Sequence, residues 1–159
     1  MRRRWTLEAG RAVLGGGLLL VAVSAEAATY YVATTGDDAN PGTLAQPWQT
    51  PQRAASASLQ PGDTVLFKAG RYPGFTFYST PTGTPEAPIT FKPSPGEQVV
   101  FDRALMGDAN ILHTIVFDYG ARHFIMEGFE ITDSRTSIPI DAQSGDSGIK
   151  IYCPDLNAD

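Results

Sequence analysis

From Thr64 onward the chain is a succession of short segments in which apolar and polar residues alternate. Val65 and Phe67 alternate with Leu66 and Lys68, and Ile89 and Phe91 with Thr90 and Lys92. Val99 and Phe101 alternate with Val100 and Asp102, and Ile115 and Phe117 with Val116 and Asp118. Phe124, Met126, Phe129 and Ile131 form a longer run interrupted at Gly128, and Ile149 and Ile151 flank Lys150. A period of two marks strands with one buried face. The runs recur: Val65 to Ile89 is 24 positions, Ile89 to Ile115 is 26, Phe101 to Phe124 is 23, and Phe124 to Ile149 is 25. Two interleaved sets of strands at 23–26 residues fall in the range of solenoid repeats. A β-sandwich would instead space its strands by roughly 8–12 residues with tight Asn-Gly or Asp-Gly turns, and the sequence has neither dipeptide. The pattern predicts an all-β parallel β-helix, whose inward residues stack as apolar ladders.

The first 27 residues do not belong to that pattern. Arg2, Arg3, Arg4 and Arg11 precede an apolar stretch from Val13 to Val23, and Ala25-Glu26-Ala27 follows it. This is the order of a secretory signal peptide, which assigns 1–27 to a leader and 28–159 to the folded part, secreted or periplasmic. The alternative is an uncleaved anchor. The stretch falls well short of the roughly 20 residues a spanning helix needs, and Gly15, Gly16 and Gly17 weaken any helix there. Without the leader the chain carries 8 basic and 15 acidic residues, a net charge of −7. Such a surface is a poor partner for nucleic acid or anionic membranes, and it accepts a polyanionic substrate only through a cation or a local basic groove. With 42% hydrophobic and 10% aromatic residues the chain is too apolar for disorder. Cys153, the single cysteine, excludes an internal disulfide framework; it reads as a small buried hydrophobe rather than a reactive thiol.

Before the strands lies a turn-rich loop, Thr35 to Gly42, in which Asp37, Asp38 and Asn40 admit two readings: a plain turn or a calcium loop. The spacing does not fit an EF-hand, and the bidentate Glu is missing. Thr50-Pro51 then opens a helix. The Thr50 hydroxyl suits an N-cap and Pro51 the first helical position. Ala54, Ala55, Ser58 and Leu59 would form its narrow apolar face, and Pro61-Gly62-Asp63 would end it.

The opening Tyr30-Tyr31-Val32-Ala33 with the Thr35–Gly42 loop, Pro47-Trp48-Gln49-Thr50, the Ala-rich helix, Pro61-Gly62-Asp63-Thr64-Val65 and Ala69-Gly70-Arg71-Tyr72 together resemble the start of secreted right-handed parallel β-helix proteins. Many of these are polysaccharide lyases, notably the pectate lyases of polysaccharide lyase family nine and the chondroitinase/alginate lyase group. The segment from Phe124 to Ser134 and Ser147 to Ile151 resembles their repeating coils. The resemblance implies a short N-terminal helix that caps the solenoid. It also implies a chain truncated at its C-terminus, because the sequence ends at Asp159 soon after a coil begins. For the whole protein it implies β-elimination on a uronic-acid polysaccharide with Ca2+ held by carboxylates, a lysine or arginine as base, and a monomeric state. No segment matches the family's calcium or catalytic pattern, so no catalytic residue and no metal ligand is assigned; those residues are expected beyond Asp159. Other readings of the same scaffold are a non-catalytic adhesin or glycan-binding protein and a glycoside hydrolase.

Some outward positions are candidates. Lys150, between Ile149 and Ile151, is either a substrate-groove residue or a solvated lysine. Asp118, Glu127, Glu130 and Asp133 are outward carboxylates, and Glu127 with Glu130 could serve as the acid pair of a hydrolase. His113 and His123 lack metal-ligand spacing.

Overall fold

β-Branched and aromatic residues dominate the strand segments, and the backbone runs extended wherever they alternate with polar ones. The computed structural model describes residues 26–78, 82–107, 113–117, 121–132 and 147–151. Most of the leader (1–25), Asp118, Asp133 and Cys153 lie outside the described residues. The elements are β1 (Thr29–Val32), α1 (Pro51–Ala55), β2 (Thr64–Phe67), β3 (Gly70–Tyr72), β4 (Phe75–Phe77), β5 (Ile89–Pro93), β6 (Val99–Asp102), a 3-10 turn (Arg103–Met106), β7 (His113–Phe117), β8 (Phe124–Met126), β9 (Glu130–Thr132) and β10 (Ser147–Ile151). No helix among the described residues is long and apolar enough to cross a membrane.

The strands form three sheets: β1-β2-β5-β8, β3-β6-β9 and β4-β7-β10. Every pairing is parallel. From β2 onward the chain visits the first, second and third sheet in turn and repeats that circuit three times. Each strand therefore pairs with its counterpart one circuit later.

This itinerary corrects the predicted period. Val65 sits opposite Phe91, 26 positions on, but Phe91 sits opposite Met126, 35 positions on. Phe101, Phe124 and Ile149, grouped by spacing, belong to the second, first and third sheets respectively. Ile115 belongs to the third sheet, not with Val65 and Ile89 in the first. The reason is geometric. A circuit is three strands plus three connections, and only the in-sheet register must repeat; connection lengths are free to vary. Two further strands, β3 and β4, are three residues each, too short for an alternating pattern to mark them in the sequence. β3 is three residues long and buries only Tyr72.

In β2 and β5 the alternation itself holds, whereas in β10 Ile149, expected to face inward, is 45% exposed. Val65, Phe67, Ile89, Phe91 and Ile115 are fully buried, and their partners Leu66, Thr90, Lys92 and Val116 are half-buried. β6 departs from it: Val100 and Asp102, expected to face outward, are buried together with Val99 and Phe101. Asp102 is buried because its carboxylate is used twice, accepting from Ala104 N at 3.0 Å as the cap of the 3-10 turn and pairing with Arg71.

Inward residues stack in register as Tyr30–Val65–Phe91–Met126, Tyr72–Phe101–Ile131 and Phe77–Phe117. Phe67 is the hub, with its ring 5.3–6.0 Å from those of Tyr72, Phe91, Phe101 and Phe129. Each such ring stabilises by about 1.5–3 kcal/mol through burial, with about 0.5–1.5 kcal/mol more per well-placed pair.

The first helix forms as its caps dictate. Thr50 Oγ1 accepts from Arg53 N at 3.1 Å, and Pro51 occupies the first turn. Ala54 and Ala55 are buried as expected. The helix stops at Ala55, so Ser58 lies past its end and is exposed, while Ala57 and Leu59 are buried. α1 lies against β4, the edge strand of the third sheet. Trp48 anchors the loop before it. Its ring stacks on Tyr30 at 4.9 Å, carries the Arg53 guanidinium at 4.8 Å, and packs so closely on Gly42 (φ 84) that a Cβ there would lie 2.5 Å from it.

Candidate functional site

The corners between the first and second sheets repeat the same backbone device. The residue that follows each strand donates its amide to the strand one circuit earlier: Lys68 N to Val32 O and Ser94 N to Phe67 O, the last residues of β1 and β2, and Glu127 N to Phe91 O in the middle of β5. The corners thus stack on one another, and their side chains form a continuous edge. A groove of about 390 Å³ opens on this edge between residues 92–97 of one corner and 127–128 of the next. Pro93 and Pro95 stiffen one wall. Gly128 (φ 79) forms the other, and a Cβ on it would come within 3.1 Å of Pro93 Cδ.

Each charged lining residue is in an ion pair, Lys92 with Glu127 inside the groove and Glu97 with Lys68 just outside it. Lys92 Nζ lies 3.6 Å from Glu127 Oε1, with both side chains well exposed, and Lys68 Nζ lies 3.6 Å from Glu97 Oε1. Glu97 Oε2 also accepts from Ala69 N at 2.7 Å, tying its corner to the preceding one. Ser94 is buried, and its hydroxyl has no hydrogen-bond partner among the described residues. Pro93-Ser94-Pro95-Gly96 and Gly128 are the sequence marks of this groove, but each by itself signals only a turn, because nothing in sequence aligns the two corners.

The structure separates the predicted candidates. Glu127 stands at the first-to-second corner, in the groove. Glu130 opens β9 opposite Val100, where Gln98 Nε2 lies 3.4 Å from its Oε2. Lys150 lies on β10, paired with Val116, which is itself paired with Thr76; this row belongs to the third sheet, away from the groove's corner. His113 begins β7 in the third sheet, and His123 precedes β8 with φ 56, its carbonyl accepting from Ile89 N. Asp38 uses its carboxylate on Gln49 N, Thr50 N and Thr50 Oγ1 at 2.6–2.8 Å, and Asp37 Oδ1 accepts from Ala39 N. That loop is closed by its own acids. Among the described residues no three carboxylate, imidazole or thiol groups gather so as to hold a metal ion.

No family model and no curated protein matches the sequence. Solved structures do. The lacto-N-biosidase GH136 from Eubacterium ramulus, as its selenomethionine derivative, superposes with TM-score 0.58 at 21% identity, over 77% of this chain and 23% of that one. A rhamnogalacturonan lyase gives 0.54 at 22% identity, over 69% and 30%. The pectate lyase Pel9A gives 0.51 at 23% identity, over 66% and 28%. At these identities the likeness is one of fold. The chain spans less than a third of the length of each of these structures.

Proposed function

We propose that this chain forms the N-terminal cap and first circuits of a secreted right-handed parallel β-helix protein that acts on carbohydrate, and that the whole protein is a lyase of uronic-acid polysaccharide. The observation that carries the reading is the threefold passage through three parallel sheets, in register, together with its likeness to structures of two polysaccharide lyases. The basic-apolar-small leader supports export. In such a lyase a base removes the proton beside the uronate carboxylate, and the bond to the next sugar breaks to leave an unsaturated product. The catalytic and calcium-binding residues are placed beyond Asp159, and no step is assigned to the described residues. Lys150, in register with Val116 and Thr76 on the third sheet, is the candidate for a substrate contact.

A second reading is a glycoside hydrolase on the same scaffold, favoured by the likeness to the lacto-N-biosidase. It requires two carboxylates flanking the scissile bond. One assay separates the two. The intact secreted protein is incubated with polygalacturonate, rhamnogalacturonan and alginate, with calcium or with chelator. Rising ultraviolet absorbance from the new double bond is the expected result. New reducing ends without that absorbance would favour the hydrolase, and neither signal on any polymer would abandon both enzyme readings.

A further inference from the structure

We propose that the groove at the first-to-second corner is a binding site for a neutral, hydroxyl-rich saccharide, separate from any contact made on the third sheet. The inference rests on the carbohydrate-active reading above and adds a place and a chemistry to it. Its volume of about 390 Å³ lies within the range of ligand clefts, about 300–1,000 Å³. Two prolines and a glycine fix its walls, so little backbone ordering is needed on binding. The charges decide the ligand class. Of the lining residues Lys92 faces Glu127, and the other lining carboxylate, Glu97, is matched by Lys68 just outside the groove, so no lining charge stands without a counter-charge. An anionic sugar would gain a lysine and lose to a glutamate, and a cation would meet the reverse. A sugar with adjacent hydroxyls does neither: it donates to Glu127 and accepts from Lys92, whose atoms stand 3.6 Å apart, and hydrogen bonds to ionised partners are the stronger kind. An exposed pair of this kind contributes little to folding, so a ligand can open it readily.

The test is calorimetric titration of the intact protein with cellotetraose, galactotetraose, xylotetraose and tetragalacturonate, on wild type, Lys92→Ala, Glu127→Gln and, as a control at an exposed position outside the groove, Glu86→Gln. The expected result is binding of at least one neutral tetrasaccharide, weakened at least fivefold by Lys92→Ala and by Glu127→Gln at unchanged melting temperature, and unchanged by Glu86→Gln. Hydrogen exchange on the wild-type protein gives a readout free of variants: the saccharide should slow exchange in 92–97 and 127–128. The proposal falls if none of the neutral tetrasaccharides binds, if binding ignores both substitutions, or if those segments exchange unaltered. A protein that cleaves uronate but leaves this groove blind to every neutral sugar overturns the groove alone. One that binds there yet cleaves nothing overturns the enzyme reading alone.

Discussion

The Gln52 side chain takes the place of a missing strand beside Thr76. Its Nε2 donates to Thr76 O at 2.9 Å, and its Oε1 accepts from Thr76 N at 3.0 Å. Thr76 is the middle residue of β4, and β4 is an edge of the third sheet, so these are the two backbone groups a neighbouring strand would otherwise have paired. Unpaired edges are sites of wrong association. Here one amide on α1 pairs both groups, held in place by the Thr50 cap and by Arg53, whose guanidinium donates to Asp38 O and lies over Trp48.

Gln52→Ala should therefore cost about 1–3 kcal/mol, the penalty of leaving partly buried backbone groups without partners. Gln52→Glu keeps the acceptor for Thr76 N and loses the donor to Thr76 O, so its loss should be intermediate or larger where the charge is poorly solvated. Urea unfolding followed by tryptophan fluorescence, which reports on Trp48 beside this helix, measures both. An alanine variant as stable as wild type would show that the amide is incidental.

Tyr72 makes stability sensitive to alkali. Burial pushes its phenol from 10.0 up to about 12, outweighing the lowering effect of a backbone hydrogen bond from Thr34, and Glu97 adds to the rise. The sign follows from linkage: the folded state holds the proton more tightly than the unfolded one. The contribution is complete below pH 10 and is lost as pH rises from about 10 to 12, amounting to roughly 2–3 kcal/mol. Tyr72→Phe should flatten that decline. It should also lower stability near neutral pH by about 1 kcal/mol, because the hydroxyl donates to Lys68 O at 2.8 Å. Melting temperature measured from pH 7 to 11.5 for both proteins tests the claim. Parallel declines would mean that the phenol is not responsible.

The identity and facing of β2 and β5 were legible in sequence because period-two alternation is local, whereas β3 and β4, three residues each, are too short to show it. Val65, Phe67, Ile89, Phe91 and Ile115 needed nothing beyond their immediate neighbours. Thr50-Pro51 was legible for the same reason, since a cap is a matter of three consecutive residues. The grouping of strands into sheets was not, because register depends on connection lengths. Val65 pairs with Phe91 and Phe91 with Met126 although the two separations differ. Asp102 shows a second limit. It looks outward by alternation, yet Arg71 from the preceding circuit, 31 positions away, and the 3-10 turn make its burial favourable. The groove was invisible for the reason the register was: it lies between corners 30 or more residues apart.

Arg71 and Asp102 give an asymmetric pair. The carboxylate is 1% exposed and the Arg71 side chain 52% exposed. Removing the buried partner takes away a turn cap as well as a charge. Removing Arg71 leaves a buried carboxylate that still accepts from Ala104 N. Arg71→Ala is expected to cost about 1–2 kcal/mol, tempered by solvent screening of the exposed guanidinium. Asp102→Ala is expected to cost more, about 2–4 kcal/mol. Thermal unfolding of the two single variants and the double variant gives the coupling energy. If Arg71→Ala proved the more damaging, the assignment of Asp102 as the centre of the pair would be wrong.

Phe67 and Phe129 should separate hub from periphery in the aromatic interior. Phe67 is fully buried and meets four rings drawn from all three circuits. Phe129 is partly buried and contacts Phe67 at 5.3 Å and Phe101 at 4.9 Å. Phe67→Ala should cost about 3–5 kcal/mol, as deletion of a buried ring leaves a cavity that its neighbours fill only in part. Phe129→Ala should cost less, about 1–3 kcal/mol, because its site already reaches solvent. The two substitutions share a contact, so their sum should exceed the cost of the double variant by roughly 0.5–1.5 kcal/mol. Denaturant midpoints for the three proteins measure this. Strict additivity would mean that the circuits are packed independently rather than through a shared interior.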